Sequence, residues 1–216
     1  MPEAGIIRLD LKARFFRVFV PFETDESLVA SMWVELEKLY TAPDRHYHNL
    51  THIGHLFLLL EPCREKIEDW ATLSLAVFYH DAVYNVLKSD NEIRSAELAE
   101  ARLRSAGLPE NMLARIRYHI LATQKHDAGE DPDTCFFTDA DLAILGADLA
   151  EYQAYACQIR QEYAVYPDLL YNPGRKKVLN HFLAKPAIFK TPEFRAHFEE
   201  NARNNLRREL EGLIKA

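Results

Sequence analysis

Apolar residues in this chain recur at three- and four-residue steps and almost never alternate, a period that suits helices and argues against a sheet. Only 7 glycines are spread over the 216 residues, so few positions would weaken a helix from within. The pattern predicts an all-α fold of about eight helices with no strand. A chain of this length can bury its core as one domain, here 1–216.

Local signals place the elements. Thr24 or Asp25 is suited to cap a first helix with the apolar stripe Leu28, Met32, Leu36 and Leu39, which Pro43 brings to an end. A second helix starts near Thr51 and stops before Pro62, and a third, the most apolar, runs from about Glu65 to Tyr84. Ser89 and Glu92 have capping-box spacing and open a helix that closes at Gly107, after which Pro109 suits the first turn of the next. Residues 127–133 read as a surface loop, Asp141 to Tyr163 as a long helix and Tyr166 to Gly174 as another loop. Thr191-Pro192 then starts a charged helix that runs to Ile214.

Composition narrows the function classes. Hydrophobic residues make up 48% and charged residues 27%, ordinary globular usage. The longest apolar stretches, Leu56 to Leu60 and Leu75 to Tyr79, fall far short of the roughly 20 residues that cross a bilayer, so no membrane is expected as a partner. The first residues, Met1 to Gly5, lack a basic segment followed by an apolar one, which predicts a cytoplasmic protein. Cys63, Cys135 and Cys157 are isolated and odd in number; each reads as a small buried apolar residue rather than a zinc ligand. A net charge of −7 opposes binding of polymeric nucleic acid, although a small anion can still bind where a metal dominates the local field.

Three segments carry the chemistry. Four of the nine histidines crowd into Arg45-His46-Tyr47-His48-Asn49-Leu50-Thr51-His52-Ile53-Gly54-His55. His48 and His52 are four apart, so they either share a helix face or flank its first turn. In Ala76-Val77-Phe78-Tyr79-His80-Asp81-Ala82 an ionisable pair ends a long uncharged run, and a carboxylate buried there needs a cation or several donors. The third segment, Phe136-Phe137-Thr138-Asp139-Ala140-Asp141-Leu142, offers two carboxylates, either of which is also a plausible helix cap.

One histidine, then His-Asp, then Asp, each from a different segment, resembles the HD superfamily of metal-dependent phosphohydrolases, and in particular a bacterial group of predicted HD phosphohydrolases. The Tyr47-His48-Asn49-x-x-His52 stretch is similar to the metal-site motif of cyclic-nucleotide phosphodiesterases, a branch of that superfamily. The likeness covers roughly Tyr40 to Leu145. It implies an HD-type helical bundle with a metal-site core at about 40–145 and a helical extension at 146–216. It further implies that His52, His80, Asp81 and Asp141 are the ligands of a divalent ion and that His48 protonates the leaving oxygen. The His-Pro-Gly that follows the paired ligands in phosphodiesterases is absent here, where the chain reads Ala82-Val83-Tyr84-Asn85. A second metal and a cyclic-nucleotide substrate therefore lose that support.

Two imidazoles and two carboxylates suit Mn, Fe, Co, Zn or Mg. The expected reaction is hydrolysis of a small phosphoester, a nucleotide or related metabolite. Glu92 is either a catalytic residue that orients water or only a helix cap. Arg45, Lys125, His126 and Arg160 are candidates for substrate contact, and Arg175 with its neighbouring lysines reads as a solvated basic patch. Asp139 is expected to cap or to hold a ligating histidine. A two-iron, oxygen-activating HD site and a metal-clamped binding module stay open as alternatives, as does a homo-oligomer.

Overall fold

A computed structural model of the chain describes residues 2–126 and 129–215, with side chains from residue 10 to residue 213; part of the expected 127–133 loop, Asp127 and Ala128, and the residue Met1 lie outside the described residues. Among the described residues there are ten α-helices: α1 (Pro2–Phe19), α2 (Glu26–Tyr40), α3 (Leu50–Leu60), α4 (Trp70–Tyr79), α5 (Asn91–Ser105), α6 (Glu110–Thr123), α7 (Pro132–Leu142), α8 (Leu149–Glu162), α9 (Asp168–Ala184) and α10 (Pro192–Lys215). Short 3₁₀ turns follow α1, α3 and α7, and no strand occurs among the described residues, so the all-α class holds. The chain forms two compact units, Met1–Thr138 and Asp139–Ala216.

The first unit is organised on an aromatic cluster. Phe15 of α1 has its ring centroid 5.1 Å from Phe78 of α4 and 5.8 Å from Trp33 of α2, and Phe57 of α3 closes on Phe78 at 4.9 Å. Burying each such ring contributes about 1.5–3 kcal/mol. Asp25 caps α2 through Ser27 and Leu28 N–H, as expected, but the buried face is Val29, Met32, Trp33, Leu36 and Tyr40; Leu28 and Leu39 sit at its edges. Gly107, at φ +83°, closes α5, with Leu108 N–H donating to Leu103 O at 3.2 Å.

Several boundaries differ from the sequence reading. The Glu65–Tyr84 helix is shortened at both ends, because Asp69 caps α4 through Thr72 N–H and the chain turns at His80. Ser89 and Glu92 form no capping box: Asp90 holds the cap position without a side-chain bond, and the Ser89 carbonyl accepts from Gln124 Nε2 at 3.3 Å. The Asp141–Tyr163 helix is two helices, with Asp148 capping α8 through Glu151 N–H. Pro132 and Asp133 belong to α7 rather than to a loop, and Tyr166–Gly174 lies largely in α9, with Pro173 inside it. The N–H that Pro173 lacks would have met the carbonyl of Leu169, a residue 84% exposed, where water can substitute. Of the cysteines only Cys63 is buried; Cys135 is intermediate and Cys157 exposed.

In the second unit Asp139, 0% exposed, accepts from Lys190 N–H at 2.9 Å, Thr191 N–H at 2.7 Å and Thr191 Oγ1 at 2.8 Å, so a carboxylate meets the start of α10. Thr191 caps that helix through Phe194 N–H at 3.4 Å. Asn205 Nδ2 ties Leu145 O and Ala147 O, each at 2.9 Å. Asp139→Asn leaves one or more of these donors without an acceptor. It should cost about 3 kcal/mol in urea unfolding while the native baseline keeps its helical signal.

His119 provides a second test. It is 0% exposed, and since Asp131 can only accept, Thr134 Oγ1 donates to Asp131 at 2.7 Å and receives His119 Nδ1–H at 2.7 Å. Nε2 is buried without a hydrogen-bond partner, and burial lowers the ring's pKa from 6.5 to about 4. The unfolded chain takes up a proton near pH 6.5 that the folded one refuses until about pH 4, so stability falls as pH drops through that window. The loss should reach at most about 3 kcal/mol, and His119→Leu should remove that part of the acid dependence in unfolding series run across the window.

Candidate metal centre

The site forms where α3 begins and α4 ends. Asn49 caps α3 by accepting Thr51 N–H at 2.8 Å, and its Nδ2 donates to His46 O at 2.9 Å, which fixes the preceding turn. His52 is then the third residue of the helix and turns inward, 4% exposed. His48 lies outside the helix, so the pair flanks the first turn; the two ring centroids are 5.8 Å apart. His46 and His55 are exposed.

From Thr72 to Tyr79 every residue of α4 is buried, and the chain leaves the helix at His80. His80 is 1% exposed, and its Nδ1 lies 2.9 Å from Val77 O. A carbonyl can only accept, so in the neutral ring Nδ1 carries the proton and Nε2 presents its lone pair inward. Phe137 packs perpendicular to this ring, centroids 5.4 Å apart.

His80 Nε2 lies 3.3 Å from His52 Nε2 and 3.1 Å from Asp81 Oδ2, and His52 Nε2 lies 3.8 Å from the same oxygen. Two imidazole nitrogens bound to one tetrahedral ion at about 2.05 Å would be separated by about 3.3 Å. His52, His80 and Asp81 thus form a group that can hold a metal ion. The Asp81 side chain is 16% exposed, whereas both rings are buried.

Glu92, in the first turn of α5, has a raised pKa: burial is the main cause and the charge of Asp81 adds to it, while His126 and His80 act in the opposite direction. These influences put Glu92 within electrostatic reach of the group. His126, in the turn after α6, adopts φ +48°, a left-handed conformation that a non-glycine residue takes at a cost of about 1 kcal/mol. Lys125 beside it is exposed.

The other predicted residues are placed differently. Arg45 donates to three backbone carbonyls, His48 O at 3.1 Å, Asp81 O at 2.7 Å and Ala82 O at 3.0 Å. Arg160, in the second unit, bonds Asp168 Oδ1 at 2.7 Å and the carbonyls of Tyr163 and Tyr166, each at 3.1 Å. Arg175 is buried against Glu209 rather than solvated. Asp141 is a half-buried residue of α7 and, like Asp139, belongs to the second unit. Sequence reasoning gave no role to Tyr84, whose ring lies 4.3 Å from that of His48 and 5.1 Å from the Arg45 guanidinium carbon. The one available signal was an aromatic residue three positions after the His-Asp pair.

No family, curated protein or solved structure matched the chain in comparisons with each. The geometry therefore supplies the test. His80→Ala and Asp81→Ala should each abolish retention of a divalent ion through gel filtration, read by elemental analysis, whereas His46→Ala and His55→Ala should retain it. Full occupancy in the first two variants would remove them from the ligand set.

Proposed function

We propose that the protein is a metal-dependent phosphohydrolase of the HD type, acting on a small phosphoester such as a nucleotide or related metabolite. The observation that carries this reading is the convergence of two buried imidazole nitrogens and one partly open carboxylate oxygen, with the His80 tautomer fixed by Val77 O. His52, His80 and Asp81 would hold the ion, Asp141 being added only by the sequence likeness, and the ion is Mn, Fe, Co, Zn or Mg on the chemistry of its donors. When bound, such an ion supplies the Lewis acidity that lowers the pKa of water and offsets charge on phosphoryl oxygen.

The chain's own groups then do the following. The His80 Nδ1–H bond to Val77 O keeps Nε2 free of a proton and its ring fixed. His48, outside the helix and stacked on Tyr84, holds the proton that the leaving oxygen takes up. Glu92, whose carboxyl is held above its ordinary pKa chiefly by burial and further by the charge of Asp81, would orient water at the site. His126 is close enough to Glu92 to act on it electrostatically, opposing the effect of Asp81. The net charge of −7 favours a small substrate over a polymer.

A panel of phosphoesters assayed with purified protein under each ion should reveal phosphate release that Asp81→Ala abolishes. If no ester turns over with any ion while iron-loaded protein consumes oxygen, the reading moves to oxygen activation. His48→Ala should keep the ion and slow esters with poor leaving groups more than activated aryl esters, since only the former need a proton donor; equal losses would remove His48 from that role. Asp141→Asn should lose both ion and turnover, while Asp139→Asn should keep the ion.

A further inference from the structure

The chain beyond Val77 carries carbonyls that the end of α4 cannot satisfy from within the helix. Phe78 O accepts from Tyr40 Oη at 3.0 Å, and Asp81 O and Ala82 O accept from Arg45 at 2.7 and 3.0 Å. The same guanidinium donates to His48 O, on the segment that leads into α3. One side chain thereby joins the strand of backbone before His52 to the turn that carries His80 and Asp81. It is sandwiched as well: its central carbon lies 5.3 Å from the Tyr40 ring and 5.1 Å from the Tyr84 ring. Tyr40 is itself 1% exposed, and Tyr84 continues the stack onto His48, with 30° between the ring planes.

We propose that Arg45 is the positioning residue of the metal centre. Its donors, directed to three carbonyls, set the distance between the His52-bearing helix start and the His80-Asp81 turn, and Tyr84 carries that order on to His48. Its role is thus to hold the site's backbone, not to contact substrate. Only a planar fork flanked by aromatic faces can make these bonds together; a lysine ammonium supplies the same charge at one point and cannot span them. The cation also sits at the negative end of α4, where it complements the helix dipole. The inference rests on the metal-centre reading.

The test is a Co(II) titration of the full chain followed by visible absorption, for wild type, Arg45→Lys and Arg45→Ala, with far-UV circular dichroism on each. Wild type should take up Co(II) with a defined band. Arg45→Lys and Arg45→Ala should bind it about 10- to 100-fold more weakly, the range seen when a group that orients metal ligands is lost, with altered band intensity and retained helicity. Added methylguanidinium should restore part of the band in Arg45→Ala, a rescue that a general loss of stability would not show. If Arg45→Ala does not fold, the lysine variant, which keeps charge and stem, decides the matter. A folded variant that binds Co(II) as tightly as wild type with the same spectrum overturns the role of Arg45 alone. Wild type that binds no more Co(II) than His80→Ala overturns the metal-centre reading, and this inference with it.

Discussion

A helix that ends inside a protein leaves its last carbonyls in need of donors, and at the end of α4 the groups that answer this need also shape the site. The His80 ring bonds Val77 O and is thereby turned with its other nitrogen inward. Tyr40 bonds Phe78 O, and Arg45 bonds the two carbonyls of the following turn. Helix termination and the orientation of the His80 ring are one set of interactions. The uncharged run before His80 has the same logic: Thr72 to Tyr79 are buried on every side, so α4 is held rigidly by packing and its end is fixed in space.

The carboxylates of Asp133, Asp139 and Asp81 meet different partners. Asp133 accepts Glu68 and Asp69 N–H at 2.8 and 3.0 Å and Arg115 at 3.0 Å, and Asp139 accepts Lys190 and Thr191 N–H. Each is balanced by donors the protein supplies. Asp81 Oδ2 lies 3.1 Å from His80 Nε2 and 3.8 Å from His52 Nε2, within a group that could hold a metal ion, whereas Asp133 and Asp139 are structural anchors.

This distinction also marks what the sequence made legible. Local chemistry was readable wherever one residue decides: Asp25 and Thr191-Pro192 start helices where their capping preferences place them, and Gly107 closes one. The trio His52, His80 and Asp81 was readable because its residues stand out against apolar surroundings. What failed depended on partners distant in sequence. The carbonyls at and just after the end of α4 find donors in Tyr40 and Arg45, the helix after Ser89 starts one residue later than the capping-box spacing requires, with Asp90 at the cap position, and no local signal says that Arg45 would bind backbone rather than phosphate. Pro173 misled for the opposite reason: its penalty falls on one exposed carbonyl, too little to break α9.

The Asp139 anchor has a consequence for synthesis. Its acceptors and the Thr191 donors are separated by 52 residues, so at ribosomal rates of about 5–20 residues per second the carboxylate emerges roughly 3 to 10 s before the backbone groups that will enclose it. During that interval the end of α7 cannot be buried without stranding a charge, and the nascent second unit must stay hydrated until α10 arrives.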